Sequence, residues 1–260
     1  MISVLIPVFE PDARLLAEAV RSVLDSPVHD LEVLIIEDAG TSSLPRFTDA
    51  RVRHIINDRR DRLGAALNRG LAEASGSLIA RMDADDICER ERFPAQLAMF
   101  QADPQLAVAG SQLTIIDENG ARIGSRRYPT AHAAIAETLT RYNCLAHSSV
   151  MFRKSAVEHV GGYTAGILAE DYDLWCRLLV SGASFANHPE ALVRYRHHAA
   201  ALKQRTVKPA LRATIAIKNR YFGSRLSPRA RARIAAERAL LLMPSPLVLS
   251  LFERVAYRRS

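Results

Sequence analysis

Four short apolar runs, set among segments of helical periodicity, fill the first 85 or so residues and leave few folds open. Ile2 to Val8 is closed by Pro7 and Pro11 and reads as a buried strand. Asp12 then caps a helix with Leu15, Leu16, Ala19, Val20, Val23 and Leu24 on one face. Leu31 to Ile36 and Val52 to Ile56 read as the second and third strands. Leu63 to Ala74 is helical, with Gly76 suited to its C-terminal end. Leu78 to Met82 is the fourth strand. Strands and helices arranged in this way predict an α/β fold, a mostly parallel sheet flanked by helices. In such sheets ligands sit at the carboxyl ends of the strands. Three of the four strands run into acids: Glu10, Asp38, and Asp83 with Asp85. One acidic rim is expected.

The second half is less regular. Leu106 to Ile116 reads as a strand, with a turn at Glu118-Asn119-Gly120 into a hairpin partner. Ser148 to Phe152 reads as a further strand, Gly161-Gly162 as a tight turn, Tyr172 to Val180 as a helix, and Ala191 to Tyr195 as a last strand. The three cysteines, Cys88, Cys144 and Cys176, are odd in number and lack CxxC spacing. They point to a reducing compartment without a disulfide or metal framework. No run approaches the roughly 20 apolar residues of a membrane span, and Met1 leads into a strand without a basic segment, so no secretory leader is expected.

Charge divides the chain. From residue 203 to the end, 14 Lys and Arg face two Glu, a balance of +12. The first 202 residues hold 21 basic and 26 acidic side chains, a balance of −5. A mildly acidic body with a basic helical extension over 203–260 is expected. Such an extension seeks a polyanion. Its aromatic residues are few (Tyr221, Phe222, Phe252, Tyr257), which disfavours base stacking, and no nucleic acid partner is expected. From Arg231 onward, apolar residues interleave with Arg, as in a helix lying on an anionic membrane surface. Two helices packed on the body with solvated Arg faces explain the same pattern equally well.

Asp83, Asp85 and Asp86 crowd one strand end, where like charges repel unless a cation joins them. Asp83 and Asp85 share one side of an extended segment. Oxygen-only ligands select Mg²⁺ or Mn²⁺, and a divalent ion held by few carboxylates usually also binds a phosphate-bearing substrate. The spacing is not that of an EF-hand: Cys88 stands at the sixth loop position and Pro94 at the twelfth. No P-loop or dinucleotide glycine motif is present. Taken alone, the cluster is also compatible with Asp85 or Asp86 capping the next helix.

Ser3-Val4-Leu5-Ile6-Pro7-Val8, Ile35-Ile36-Glu37-Asp38, Ala80-Arg81-Met82-Asp83-Ala84-Asp85-Asp86, Glu170-Asp171-Tyr172-Asp173-Leu174-Trp175 and Tyr195-Arg196-His197-His198 follow one another in order. Together they resemble the signature of family 2 glycosyltransferases across about the first 200 residues. The resemblance implies a GT-A (Rossmann-like) fold over 1–202, with a nucleotide-binding half (1–105) and an acceptor-binding half (106–202). It also implies a nucleotide-sugar donor, a divalent metal and inversion at the anomeric carbon. By the same resemblance, Pro7, Val8, Glu10, Asp38, Arg62 and Asp83 would meet the donor nucleotide. Asp38 would accept the uracil N–H. Asp83, Asp85 and His198 would hold Mn²⁺ or Mg²⁺. Asp171 would be the catalytic base. Glu170 would orient that base or bind an acceptor hydroxyl. Trp175 would stack on the acceptor sugar, although its spacing from Leu178 and Leu179 also suits a core position. His147 reads either as a donor-site residue or as a structural one. The chain departs from the family pattern at Ala39-Gly40 after the second strand and at Leu67, where many relatives carry Arg. One diphosphate contact is then expected either to be missing or to be supplied by Arg62 or Arg81.

The expectation is a cytoplasmic, membrane-peripheral inverting glycosyltransferase. It would use a UDP-sugar and a glycan or polyprenyl-diphosphate-linked acceptor in surface-polysaccharide assembly. A metal-dependent nucleotidyltransferase would leave Glu170-Asp171 without a role. A non-catalytic receiver-like module would be about half this length.

Overall fold

A computed structural model describes residues 1–37, 39, 44–57, 62–197, 201–256 and 258–259, with backbone alone for 201–205, 252–256 and 258–259. Asp38 and His198 therefore lie outside the described residues. In chain order the first elements are β1 (Ile2–Val8), α1 (Ala13–Leu24), β2 (Leu31–Glu37), β3 (Val52–Ile56), α2 (Leu63–Glu73) and β4 (Leu78–Arg81). The four strands lie in the order β4-β1-β2-β3, all parallel. Their carboxyl ends therefore share one rim. The expected bounds of β1 and β3 coincide with the observed ones, and β2, β4 and α2 differ by a residue at one end.

Side-chain alternation explains why both faces of this sheet are dry. Leu5, Leu34 and Ile36 point to one face and join Leu67 and Leu71 of α2. Val4, Ile6, Val33 and Ile35 point to the other and join Leu16, Ala19, Val20 and Val23 of α1. A strand buried on both sides reads as a continuous apolar run, which is how β1 and β2 appear in the sequence. Asp12 caps α1 as expected: its Oδ1 accepts from the backbone N–H of Arg14 and Leu15 at 2.8 and 3.1 Å.

Next come β5 (Ile87–Cys88), α3 (Arg92–Ala102), β6 (Leu106–Ile116), β7 (Arg122–Arg126) and α4 (His132–Leu139). The hairpin between β6 and β7 turns at Gly120, where φ is +88°. The strand expected over Ser148 to Phe152 is shorter than the sequence suggests. Residues His147–Ser149 form a single 3₁₀ turn, and only β8 (Met151–Arg153) is extended. The turn closes because Ser149 donates to the Ala146 carbonyl from both its backbone N–H (2.9 Å) and its hydroxyl (3.0 Å). It brings His147 and Ser148 to the wall of a cavity. From α3, buried Arg92 and Gln96 donate to the carbonyls of Arg81, Val150, Ala109 and Ser149, pinning the end of β4 to this turn.

The remaining elements are α5 (Lys154–His159), α6 (Glu170–Val180), β9 (Ser184–Arg196), α7 (Ala201–Tyr221), α8 (Pro228–Leu240) and α9 (Ser245–Ala256). The strand expected over Ala191 to Tyr195 is the end of β9, which runs parallel to β6 and antiparallel to β5. The basic extension is helical, and its first two helices pack on the body. Leu211, Ile215 and Ile217 of α7, and Ala230 and Ile234 of α8, belong to the same core as α2 and α6. Tyr221 of α7 donates to Asp173 of α6 at 2.8 Å. Arg212, Arg220, Arg229, Arg231 and Arg238 face solvent. No helix among the described residues is long and apolar enough to cross a membrane. The three cysteines are buried and free.

Candidate active site

Two cavities open at the rim, and Asp83 lines both. The first, about 330 Å³, lies between the end of β1 and the loop after β4. Pro7, Val8, Phe9, Glu10, Asp83 and Asp85 line it, so five of the expected donor and metal residues meet there. Glu10 adopts φ +45°, a left-handed conformation that a non-glycine residue rarely takes. Arg62 is exposed at the start of α2 and lines neither cavity. Leu67 is fully buried in the core, so where relatives place Arg this chain has apolar packing.

The second cavity, about 240 Å³, is bounded by Arg81, Asp83, Tyr128, Asn143, His147 and Asp171 among others. Buried Arg81 pairs with Asp83 at 2.5 Å, while its Nε has no partner among the described residues. A buried donor without a partner invites an anionic ligand. Burial pushes the imidazole pKa of His147 well below the ordinary value, and the nearby Arg81 charge adds to this. Neutral His147 meets the Tyr163 hydroxyl at 2.9 Å.

Asp171 enters from the first turn of α6. The residue before Glu170, Ala169, sits at φ +59°, which sets the angle at which the helix begins. Gly64 allows α2 to approach this loop: a Cβ there would lie 2.9 Å from the Thr164 carbonyl oxygen. Asn68 secures it further, accepting from the Tyr163 N–H and donating to the Tyr163 carbonyl, both at 2.8 Å. The Asp171 carboxylate is held at both oxygens. Oδ1 accepts from the Tyr172 N–H at 2.7 Å and Oδ2 from Asn143 Nδ2 at 2.7 Å. Burial raises its pKa, and these hydrogen bonds and Arg81 oppose the rise. Asn143 was not singled out from sequence, because an isolated Asn 28 residues from its partner carries no local signal.

Glu170 lies beside Asp171, with its pKa raised to about 7 by burial and then by the Asp171 charge. Its folded form therefore holds a proton more tightly than the unfolded chain, whose carboxyl titrates near 4.5. Stability falls as pH rises from about 4.5 to about 7, and the full cost remains above that window. Glu170→Gln is expected to stabilise the fold by on the order of 1–2 kcal/mol at pH 8, discounted for partial exposure, and by nothing at pH 4. Thermal denaturation across pH checks this; a gain independent of pH would refute the titration account.

One expectation is corrected. Trp175 is fully buried and packs edge-on to Phe152 and His147, with ring centroids 6.4 and 6.0 Å away. It takes the core role and cannot stack on an acceptor sugar. Asp173 is likewise buried, accepting from Thr164, Arg177 and Tyr221 at 2.7–2.9 Å. Arg196 has a role that its motif alone did not reveal. It is 3% exposed, and its N–H donates to Asp86 at 2.9 Å. Its guanidinium donates to the carbonyls of Asp85, Asp117 and Glu118 and to Glu18. The acidic loop is thereby tied to the end of β9.

A divalent ion suits this loop chemically. Asp86 is pushed well above the usual carboxylate range by burial and by the charges of Asp83 and Asp85, a repulsion that a cation would relieve. Among the described residues no group of three His, Cys, Asp or Glu could hold a metal; His198, the third expected ligand, lies outside them.

The profile described as Glycosyl transferase family 2 matches residues 3–161. The O-antigen biosynthesis glycosyltransferase WbnJ of Escherichia coli is 34% identical over 207 residues, covering 76% of this chain and 80% of that protein. An E. coli UDP-Gal:alpha-D-GlcNAc-diphosphoundecaprenol beta-1,3-galactosyltransferase is 31% identical over 210 residues, covering 78% of this chain and 76% of that protein. The crystal structure of S. aureus TarS 1-349 in complex with UDP-GlcNAc superposes with a TM-score of 0.63 at 14% identity, covering 91% of this chain and 70% of that one, and so shares the GT-A fold. With the fold, the ordered motifs and these similarities in agreement, the chain belongs to glycosyl transferase family 2 and is a glycosyltransferase.

Proposed function

We propose that this enzyme transfers a sugar, with inversion, from a UDP-sugar to a lipid-diphosphate-linked glycan in surface-polysaccharide assembly. One observation carries the reading: Asp83 stands on the wall between a cavity lined by Glu10 and Asp85 and a cavity lined by Asp171. Donor and acceptor chemistry then meet at one residue. The nucleoside would lie along Pro7, Val8 and Glu10, with Asp38 as the acceptor of the uracil N–H. The diphosphate would lie near Asp83, Asp85 and Arg81, whose buried Nε has no partner among the described residues. Asp83 and Asp85, with His198, would hold Mn²⁺ or Mg²⁺, which when bound neutralises charge developing on the leaving diphosphate. Relatives named for O-antigen synthesis and for a diphosphoundecaprenol acceptor support the acceptor class.

The step assigned to this chain is a proton transfer. Asp171 takes the proton of an acceptor hydroxyl as that oxygen forms its bond to the anomeric carbon. The bond from that carbon to the diphosphate breaks on the opposite face. Asn143 and the Tyr172 N–H fix the carboxylate, and its raised pKa brings it closer to neutral pH, where a general base works best. Glu170 lies beside the base and would meet the acceptor. The exposed Leu242, Leu247 and Leu251, together with the solvated Arg of α8, suit an anionic membrane surface.

Thermal denaturation with UDP, GDP, dTDP and CDP, each with and without Mn²⁺, tests the donor reading. UDP at about 100 times its Kd is expected to add about 2.7 kcal/mol, and only with the metal. A larger shift with another nucleotide would replace UDP as the donor. No shift with any of them would remove the donor site from this rim.

A further inference from the structure

A third cavity lies outside the reaction pocket and shares a wall with it. It occupies about 260 Å³ between α7, α8 and the turn after α4. Val207, Ala210, Leu211 and Thr214 of α7 form its floor, and Tyr142 and Asn143 form its edge. Asn143 also lines the reaction cavity, where it holds Asp171. The polar groups at the back of the cavity satisfy one another. Lys218 pairs with Glu237 and donates to the Arg141 carbonyl at 2.8 Å, and Arg233 Nε donates to Glu237 at 3.0 Å. What remains open is apolar.

The edge is cationic. Tyr142 is 44% exposed, and the guanidiniums of Arg141 and Arg233 lie 6.0 and 5.9 Å from its ring centre. Among the described residues three cations stand here (Arg141, Lys218 and Arg233), against the two acids they pair with, Glu137 and Glu237. One positive charge is left over. The order from the base outward is therefore Asp171, Asn143, a cationic aromatic edge, then an apolar floor. A lipid-linked acceptor has the same order: sugar hydroxyl, diphosphate, hydrocarbon.

We propose that this groove binds the first isoprenoid units of a polyisoprenyl-diphosphate-linked acceptor, with the diphosphate at Arg141 and Arg233. The inference rests on the glycosyltransferase reading above and adds the site that would select a lipid carrier over a free glycan. The volume falls below the roughly 300–1,000 Å³ of a drug-sized ligand, so it suits a short stretch of chain. The rest of the lipid would stay outside. Buried hydrocarbon would supply affinity, and the guanidiniums would orient the diphosphate.

Fluorescent anthraniloyl farnesyl diphosphate, titrated into the full-length protein, provides the test. Wild type is expected to bind it, and excess inorganic diphosphate is expected to displace it only weakly. Ala210→Trp fills the floor and should weaken binding by about tenfold or more. Thr214→Phe provides a second plug should Ala210→Trp unfold, as judged by thermal denaturation. Arg233→Gln should weaken the farnesyl diphosphate probe and leave a farnesol analogue unaffected. The groove assignment fails if wild type does not bind the probe, or if folded plug variants bind it as tightly as wild type. The UDP and Mn²⁺ shift is measured separately, and its absence counts against the donor reading alone.

Discussion

Asp171→Asn is expected to reduce transfer by about 10²–10⁴-fold while leaving the UDP-dependent thermal shift in place. The substitution keeps the shape of the side chain and its acceptor toward the Tyr172 N–H. It removes the only group at this position that could take a proton. It also sets an amide against Asn143 Nδ2, which donates to the carboxylate in the wild-type protein. Asn143 Oδ1 is already engaged by the Leu145 N–H at 3.2 Å, so turning that amide over would lose another bond. The wild-type rate should in turn fall as pH drops through the raised pKa of Asp171. Steady-state rates at saturating donor and acceptor decide the matter: turnover of the Asn variant at the wild-type level would end the assignment of Asp171 as base.

Arg196→Met should lower stability by about 3 kcal/mol and also weaken the metal-dependent nucleotide shift. For a chain of this size that corresponds to a fall in Tm of roughly 6–12 °C. The guanidinium satisfies three backbone carbonyls and Glu18 at once, from a position that is almost wholly buried. Met fills much of the same space but returns none of the donors. The Asp85 carbonyl loses the bond it accepts from the guanidinium, so of the two ties between Arg196 and the loop that carries Asp83 and Asp85 only the backbone N–H to Asp86 remains. Arg196→Lys should recover little, because one ammonium cannot reproduce a planar fork. A lower Tm with the nucleotide affinity of the folded protein unchanged would show that Arg196 supports the fold without positioning the acidic loop.

Both residues were visible in the sequence, but in different ways. Asp171 stood in a recognisable Glu-Asp motif, and the structure places it at a cavity wall beside Asp83. Arg196 stood in Tyr-Arg-His-His, where attention falls on the histidines. Its hold on Asp86 joins residues 110 apart in the chain, and no local pattern encodes such a bond. Trp175 shows the reverse difficulty. A large aromatic three residues from Leu178 fits either a core helix or a sugar platform, and only the packing of Phe152 and His147 against it selects the core.

The sequence by itself determined the parallel four-strand nucleus, the cap of α1, the hairpin turn and the acids at the strand ends. Each is written in short-range terms: apolar runs for strands buried on both faces, a capping Asp, a glycine at a turn, charge where a strand stops. Tertiary structure alone decided that His147–Ser149 would turn rather than extend, that Asn143 would hold Asp171, and that the basic helices would pack on the body. It also decided that α7 would leave a groove next to the reaction cavity. These outcomes depend on which elements become neighbours once the sheet is ordered and the helices dock. Hydrophobic periodicity specifies which face of an element is buried, not the partner that buries it.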